Sequence, residues 1–282
     1  MVDARHDPVA RAADLLAGRR IAVITGAGLS TDSGIPDYRG PASPARTPMT
    51  YQQFVGDAVF RQRYWARNHL GWRRMDAARP NPGHRALARL EHAGVVSGVI
   101  TQNVDLLHTK AGARRVIDLH GTYARVCCLG CQALISRMTL AEQLEAANPG
   151  FAEQVCGTTG IEVAPDADAV VTDTARFRML DCAACGGMLK PDIVYFGETV
   201  PPDRVAAAFD LVETAQALLV AGSSLTVMSG LRFVRRAAKN GVPVVIVNRG
   251  ATRGDDLALL RIDAGCSETL SALADRLTTG AK

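Results

Sequence analysis

The sequence predicts an α/β protein: a parallel doubly wound sheet with a smaller inserted module. Three observations predict it. Short apolar, β-branched runs alternate with helical patterns along most of the chain. Most of those runs lack polar alternation, as expected of strands buried on both faces of a parallel sheet. Two stretches of different character interrupt the alternation. A length of 282 residues suits one large domain, or a large domain carrying a smaller one, and 48% hydrophobic residues suffice for a sizeable core.

Residues 1–20, at the start of the chain, read as a short amphipathic helix, with acids among the arginines and no apolar core of signal-peptide type. Strands are expected at Ile21–Thr25, Val95–Ile100, Val116–Leu119, Ile193–Phe196, Ala217–Ala221 and Val242–Val247. Helices are expected at Pro82–Ala93, Pro202–Ala215 and Leu225–Asn240. Residues 40–80 carry Pro41, Pro44 and Pro48 and then the aromatic helical run Phe60–Trp65, where Trp65 and Trp72 read as core. Residues 122–190 hold six of the seven cysteines. These two stretches read as a small second domain. The expected division is 1–40, 81–121 and 191–282 for the sheet domain, with 41–80 as a helical module and 122–190 as a zinc-binding module.

The loops at the strand ends carry more information than the strands. Gly26-Ala27-Gly28, Thr101-Gln102-Asn103-Val104-Asp105, His120-Gly121, Gly222-Ser223-Ser224 and Asn248-Arg249-Gly250 sit at five of the strand ends. Ligands of open α/β sheets bind beyond the carboxyl ends of the strands. Any one cluster is also good turn chemistry; five together predict one ligand-binding crevice.

Bulk charge excludes little but is informative. A net charge of +4 with both signs interspersed does not suggest a nucleic-acid protein. No apolar run approaches the ~20 residues of a membrane span, so a cytoplasmic protein is expected. The oligomeric state is not readable, and a monomer is the default.

Seven cysteines in such a chain point to metal or free thiols rather than disulfides. Cys128-Leu-Gly-Cys131 and Cys182-Ala-Ala-Cys185 are two CxxC knuckles. Together they offer four thiolates to one tetrahedral zinc, which would then be structural, with no open coordination position. A redox-active pair is the alternative. Cys127 is a competing ligand of poorer spacing, and Cys156 an ordinary free cysteine.

The loop Gly26-Ala-Gly28-Leu-Ser-Thr31 departs from the dinucleotide fingerprint, because Thr31 stands where the third glycine belongs. No acidic residue ends a second strand nearby, which disfavours a hydride-transfer site. The wider segment Gly26–Gly40 resembles the sirtuin signature. So do Thr101–Asp105, His120-Gly121, the two knuckles, Lys190–Glu198, Gly222–Leu225 and Asn248-Arg249, in the same order as in that family. The matches span roughly residues 15–275. Arg61–Asn68, Pro80-Asn-Pro82 and Cys185–Pro191 look like its class II branch.

The resemblance implies a Rossmann-like domain, a small zinc and helical domain, NAD in the cleft between them, and acyl-lysine proteins as substrates. It implies NAD contacts from Gly26, Ala27, Gly28, Ser30, Asp32, Ile35 and the loop Pro36, Asp37, Tyr38 and Arg39. Further contacts are implied from Gln102, Asn103, Val104, Asp105, Gly222, Ser223, Ser224, Asn248, Arg249, Gly250 and Cys266. Val194, Phe196, Gly197 and Glu198 would form the edge that pairs with an extended peptide.

The implied reaction begins with attack of the acyl oxygen on the anomeric carbon as nicotinamide leaves. A base then takes a proton from a ribose hydroxyl, directly or by relay. Histidine suits that task, with an unperturbed pKa of about 6.5. Of six histidines, His120 is the candidate, because it ends a strand on the crevice side. Asn103 and Asp105 would orient the reacting groups. His108 reads as structural and His84 as a helix cap; His6, His69 and His92 read as surface residues. The implied products are free lysine, nicotinamide and O-acyl-ADP-ribose. A mono-ADP-ribosyltransferase and a non-enzymatic NAD sensor are the competing readings. Acyl preference is not legible: Tyr64 and Arg67 have the spacing of an acid-binding pair but fit the class II motif instead.

Overall fold

The computed structural model describes residues 7–38, 48–156 and 174–279. Among the described residues nine strands run in chain order: β1 Ile21–Thr25, β2 Val96–Thr101, β3 Val116–Asp118, β4 Gly121–Cys128, β5 Leu134–Ser136, β6 Leu189–Ile193, β7 Ala217–Ala221, β8 Val244–Val247 and β9 Leu260–Ile262. Among the described residues the helices are α1 Pro8–Leu16, α2 Tyr51–Gly56, α3 Ala58–Ala77, α4 Pro82–His92, α5 Leu107–Lys110, α6 Arg137–Ala147, α7 Phe151–Cys156, α8 Pro202–Glu213, α9 Met228–Lys239 and α10 Cys266–Thr279.

The large sheet is wholly parallel, in the order β3-β2-β1-β7-β8-β9. Its strands read as unbroken apolar runs because both faces are covered. Ile21, Val23, Leu219, Ala221, Val245 and Val247 pack under α1, α4 and α10. Their chain neighbours Ala22, Ile24, Leu218, Val220, Val244 and Ile246 pack under α8 and α9. Alternate residues thus serve opposite cores, which removes any polar phase. Helix starts are fixed by their caps: the Asp7 carboxylate accepts from the Val9 amide, and Asn81 and His84 form a reciprocal cap on α4.

The second sheet is small, in the order β5-β4-β6, and antiparallel. Together with α2, α3 and α6 it encloses a third core that includes Phe54, Tyr64, Trp65, Trp72, Tyr123 and Leu144. Fully buried Arg137 lies there, with its guanidinium 4.8 Å from the Trp72 ring centroid and 5.8 Å from that of Trp65.

Two expectations need correction. Ile193–Phe196 is not a strand of the large sheet. The pairing belongs to Leu189–Ile193 in the small sheet, and the chain then leaves it through Gly197 at φ +79°. The apolar run there reflects burial of Tyr195 against Phe54 and Tyr64, not sheet membership. His69 is no surface residue: it is fully buried, and its Nε2 lies 3.2 Å from the Glu145 carboxylate. Burial lowers its pKa below the usual histidine value. Strands β4, β5 and β9 are additions to the expected set. His6, Pro41, Pro44 and Arg39 lie outside the described residues.

Candidate active site

The strand order reverses direction at β1 and β7, so the crevice opens above their carboxyl ends. The two glycine loops there interlock backbone to backbone. The Gly28 amide donates to the Gly222 carbonyl at 2.9 Å. Gly222 has φ +64°, and a Cβ on it would lie 2.2 Å from the Leu29 amide nitrogen. A Cβ on Gly26 would lie 2.8 Å from the Gly222 oxygen. Only glycine fits this approach.

Above the loops lies a cavity of about 700 Å³. All five strand-end clusters reach it: Gly26–Gly28, Gln102–Asp105, His120, Gly222–Ser224 and Asn248–Gly250. Ser30, Ile35, Asp37 and Tyr38 line it as well, and Val194, Phe196, Gly197 and Glu198 form its far wall. Asp32, Pro36 and Cys266 lie off the lining. Cys266 is buried under β8, its thiol pushed up to about 12 by burial, with its Sγ 3.8 Å from the Val247 oxygen. Ser229 and Arg232 line the cavity and escaped the sequence reading. They fall in the first turns of α9, where the apolar period of the helix marks core and says nothing of the polar residues between.

The polar groups of the site hold one another. Asp105 is buried, accepts from the Ser30 hydroxyl at 2.6 Å and from the Leu107 amide at 2.9 Å, and has its carboxyl pKa raised by burial. The Asn103 side-chain amide donates to the Gly26 carbonyl at 3.0 Å and to Ser30 Oγ at 3.1 Å. The Ser223 hydroxyl donates to the Gln102 side-chain oxygen at 2.6 Å. The His120 ring turns into the cavity: Nδ1 is 3.0 Å from the Gln102 carbonyl and Nε2 is 2.8 Å from the Ser229 hydroxyl. Burial pushes its pKa down to about 4, and the Arg232 and Arg204 guanidiniums add to that.

The far wall is braced from below. Buried Lys190 donates to the Ile193 carbonyl, pairs with Glu198 at 3.1 Å, and lies 4.9 Å from the Tyr195 ring centroid. Glu198 accepts from the Tyr195 amide at 2.8 Å. The Val194 amide donates to the His120 carbonyl at 2.8 Å, tying the wall to the histidine.

Away from the cavity, Cys128, Cys131, Cys182 and Cys185 bring their sulfurs within 4.8 Å of one another. Cys128 and Cys185 are 3.5 Å apart, and Cys131 and Cys182 are 3.8 Å apart. A tetrahedron with zinc–sulfur bonds of about 2.3 Å has edges of about 3.8 Å. The donor set therefore fits one structural zinc, with no coordination position left open. The Gly130 amide points at Cys128 Sγ at 3.4 Å, and a Cβ on Gly187 would stand 2.9 Å from that sulfur. Cys127 faces the other side of β4, one residue out of phase, and is not in the cluster.

Fold and site together define an α/β protein that holds a dinucleotide across the β1/β7 switch point and carries a separate zinc knuckle. The Sir2 family model matches residues 26–229, and the chain belongs to that family. It is 69% identical over 264 residues to an NAD-dependent protein deacetylase 1 of Mycobacterium avium, covering 94% of each chain. It is 45% identical to the NAD-dependent protein lipoamidase sirtuin-4 of Bos taurus, covering 92% of this chain and 82% of that one. Among solved structures, a Sir2 complex with a p53 peptide and NAD superposes with a TM-score of 0.73 at 31% identity, covering 92% of this chain and 94% of that chain.

Proposed function

We propose that the chain is an NAD-dependent protein-lysine deacylase that releases nicotinamide and O-acyl-ADP-ribose. The observation that carries this reading is the convergence of five strand-end loops, one imidazole and the Val194–Glu198 wall on a single cavity. The relatives named as NAD-dependent deacetylases and lipoamidase support it.

NAD, when bound, supplies an activated glycosidic bond and a ribose hydroxyl. The remaining tasks fall to this chain. Gly26, Ala27, Gly28 and the Asp37–Arg39 loop hold diphosphate and ribose, since glycine lets backbone amides approach an anion closely. Ser223, Ser224, Asn248, Arg249 and Gly250 hold the adenosine half. Gln102, Asn103 and Asp105 surround the nicotinamide. Burial raises the Asp105 carboxyl pKa above its usual value. His120 is the base for the ribose hydroxyl, directly or by relay; burial lowers its pKa to about 4 and so keeps it in the base form. Val194, Phe196, Gly197 and Glu198 form the edge for an extended acyl-lysine peptide.

The domain division read from the sequence is part of the proposal, with the cleft between residues 1–40, 81–121 and 191–282 on one side and 41–80 and 122–190 on the other. Among the described residues no helix is long and apolar enough to cross a membrane. We assign the enzyme to the cytoplasm, a reducing compartment in which the thiols of the CxxC cluster stay available to a metal.

The test is substitution of His120 by Ala or Tyr. Deacylation of an acyl-peptide should fall by about 10²–10⁴-fold, while nicotinamide exchange into NAD, which needs no base, persists. A variant that deacylates at the wild-type rate removes His120 from the mechanism.

A further inference from the structure

The two ring nitrogens of His120 are held from different elements, and the two contacts together fix the tautomer. The partner of Nδ1, at 3.0 Å, is the Gln102 carbonyl oxygen. A carbonyl only accepts, so Nδ1 carries the proton. In the neutral ring Nε2 is then a lone pair, and the Ser229 hydroxyl at 2.8 Å donates to it. Ser229 lines the same cavity as His120, with its hydroxyl held beside the imidazole.

The surroundings keep this hydroxyl in place. Leu225 at φ +54° bends the chain ahead of α9, whose first turn presents Ser229. The next residue, Gly230, is pressed against the Gln102 side chain: a Cβ there would lie 2.6 Å from Gln102 Nε2. Gln102 therefore touches the imidazole through its carbonyl and the Ser229 turn through its side chain. The ring is clamped between the end of β2 and the start of α9. The charged groups acting on it are Arg232 on α9 and Arg204 on α8, and both oppose a positive ring. Arg204 is itself paired with Asp192 at 2.7 Å.

We infer that Ser229 is the proton carrier between the ribose hydroxyl and His120. The inference rests on the deacylase reading above. The ribose O–H breaks as a new O–H forms on Ser229 Oγ. The original Ser229 O–H breaks as N–H forms on His120 Nε2. The ribose oxygen keeps its electron pair for attack, and the imidazole becomes the cation. Serine ends as it began, so no further reactant is consumed.

The experiment compares wild type with Ser229→Ala and Ser229→Thr by two readouts. In the protein without NAD, nitrogen NMR of ¹⁵N-labelled histidine should show His120 protonated at Nδ1. The Nε2 signal should lose its hydrogen-bond shift in Ser229→Ala and regain it in Ser229→Thr. With NAD and acyl-peptide, Ser229→Ala should deacylate about 10- to 100-fold more slowly, part of the 10²–10⁴ that general-base catalysis supplies. Nicotinamide exchange should stay within about twofold of wild type, because it precedes the proton transfer. Ser229→Thr should restore most of the deacylation.

A His120 ring protonated at Nε2 overturns the inference. So does a Ser229→Ala enzyme that deacylates at the wild-type rate, or one that loses exchange and deacylation in equal measure. A wild-type protein that leaves NAD intact with every acyl-peptide overturns the deacylase reading instead, and the ring signals then decide the Ser229 contact alone.

Discussion

At the scale of residues, His120 shows how position sets chemistry. An exposed imidazole titrates near pH 6.5, and its base form is lost below that. In this site, burial lowers the value to about 4, with Arg232 and Arg204 acting in the same sense. The base form of His120 therefore survives down to about pH 4. The acid limb of kcat/KM for deacylation should lie well below the ordinary histidine value. Arg232→Gln, which removes one opposing charge, should move that limb upward. A pH–rate profile of both proteins checks the direction, and a limb near pH 6.5 in the wild type, the value of an exposed ring, contradicts it. Gly222 is a second case. Alanine there would meet the Leu29 amide at 2.2 Å from a left-handed backbone. Gly222→Ala should lose about 2–4 kcal/mol of stability in chemical denaturation, and NAD binding with it. Gly34, also left-handed but with open space at its Cβ, should tolerate alanine at only about 1 kcal/mol.

At the scale of elements, legibility in the sequence depended on how many faces each segment buries. The runs at β1, β7 and β8 stood out because both faces are apolar. The ends of those strands stood out because their glycines and amides carry the ligand cavity. Strands β4 and β5 were not readable: β4 mixes exposed Ala124 and Arg125 with buried Tyr123 and Val126, and β5 is only three residues long. Ile193–Phe196 misled because an apolar run records burial, and Tyr195 is buried in the small core. His69 misled for the opposite reason. It sits among polar residues of α3 yet meets Glu145 of α6 from across the core, a pairing of distant residues that no local pattern encodes. Ser229 had no signal of its own.

The small sheet also carries a prediction. Its knuckles join the turn after β4 to the turn before β6, so the ion staples segments some 50 residues apart in sequence. Purified protein should hold one zinc per chain. A chelator, or Cys128→Ser, should release it and unfold the small module. Nicotinamide release should then be lost, because the Val194–Glu198 wall hangs from β6. A zinc-free protein with wild-type activity contradicts a structural role for the ion.

At the scale of the whole molecule, a six-stranded parallel sheet and a three-stranded antiparallel sheet both lead the chain to one cavity. The parallel sheet contributes loops that bind through backbone and small polar side chains. Met49, just ahead of α2, lines the same cavity, and β6 of the small sheet carries the chain into the wall that is tied to His120. Tyr38 reaches across to Phe196 with ring centroids 6.0 Å apart. In the proposed reading Tyr38 faces the cofactor and Phe196 the peptide, so occupancy of one should change the affinity of the other. Tyr38→Ala should weaken that coupling. Calorimetric titration of NAD with and without acyl-peptide checks it, and an unchanged difference in affinity between the two titrations contradicts it.

The most direct measurement is mass spectrometry of the products formed from NAD and a panel of acetyl-, lipoyl- and long-chain-acyl-lysine peptides. A deacylase should yield one nicotinamide and one O-acyl-ADP-ribose per lysine freed, for at least one acyl group. ADP-ribose attached to protein with the acyl groups untouched, or NAD left whole throughout, would contradict it.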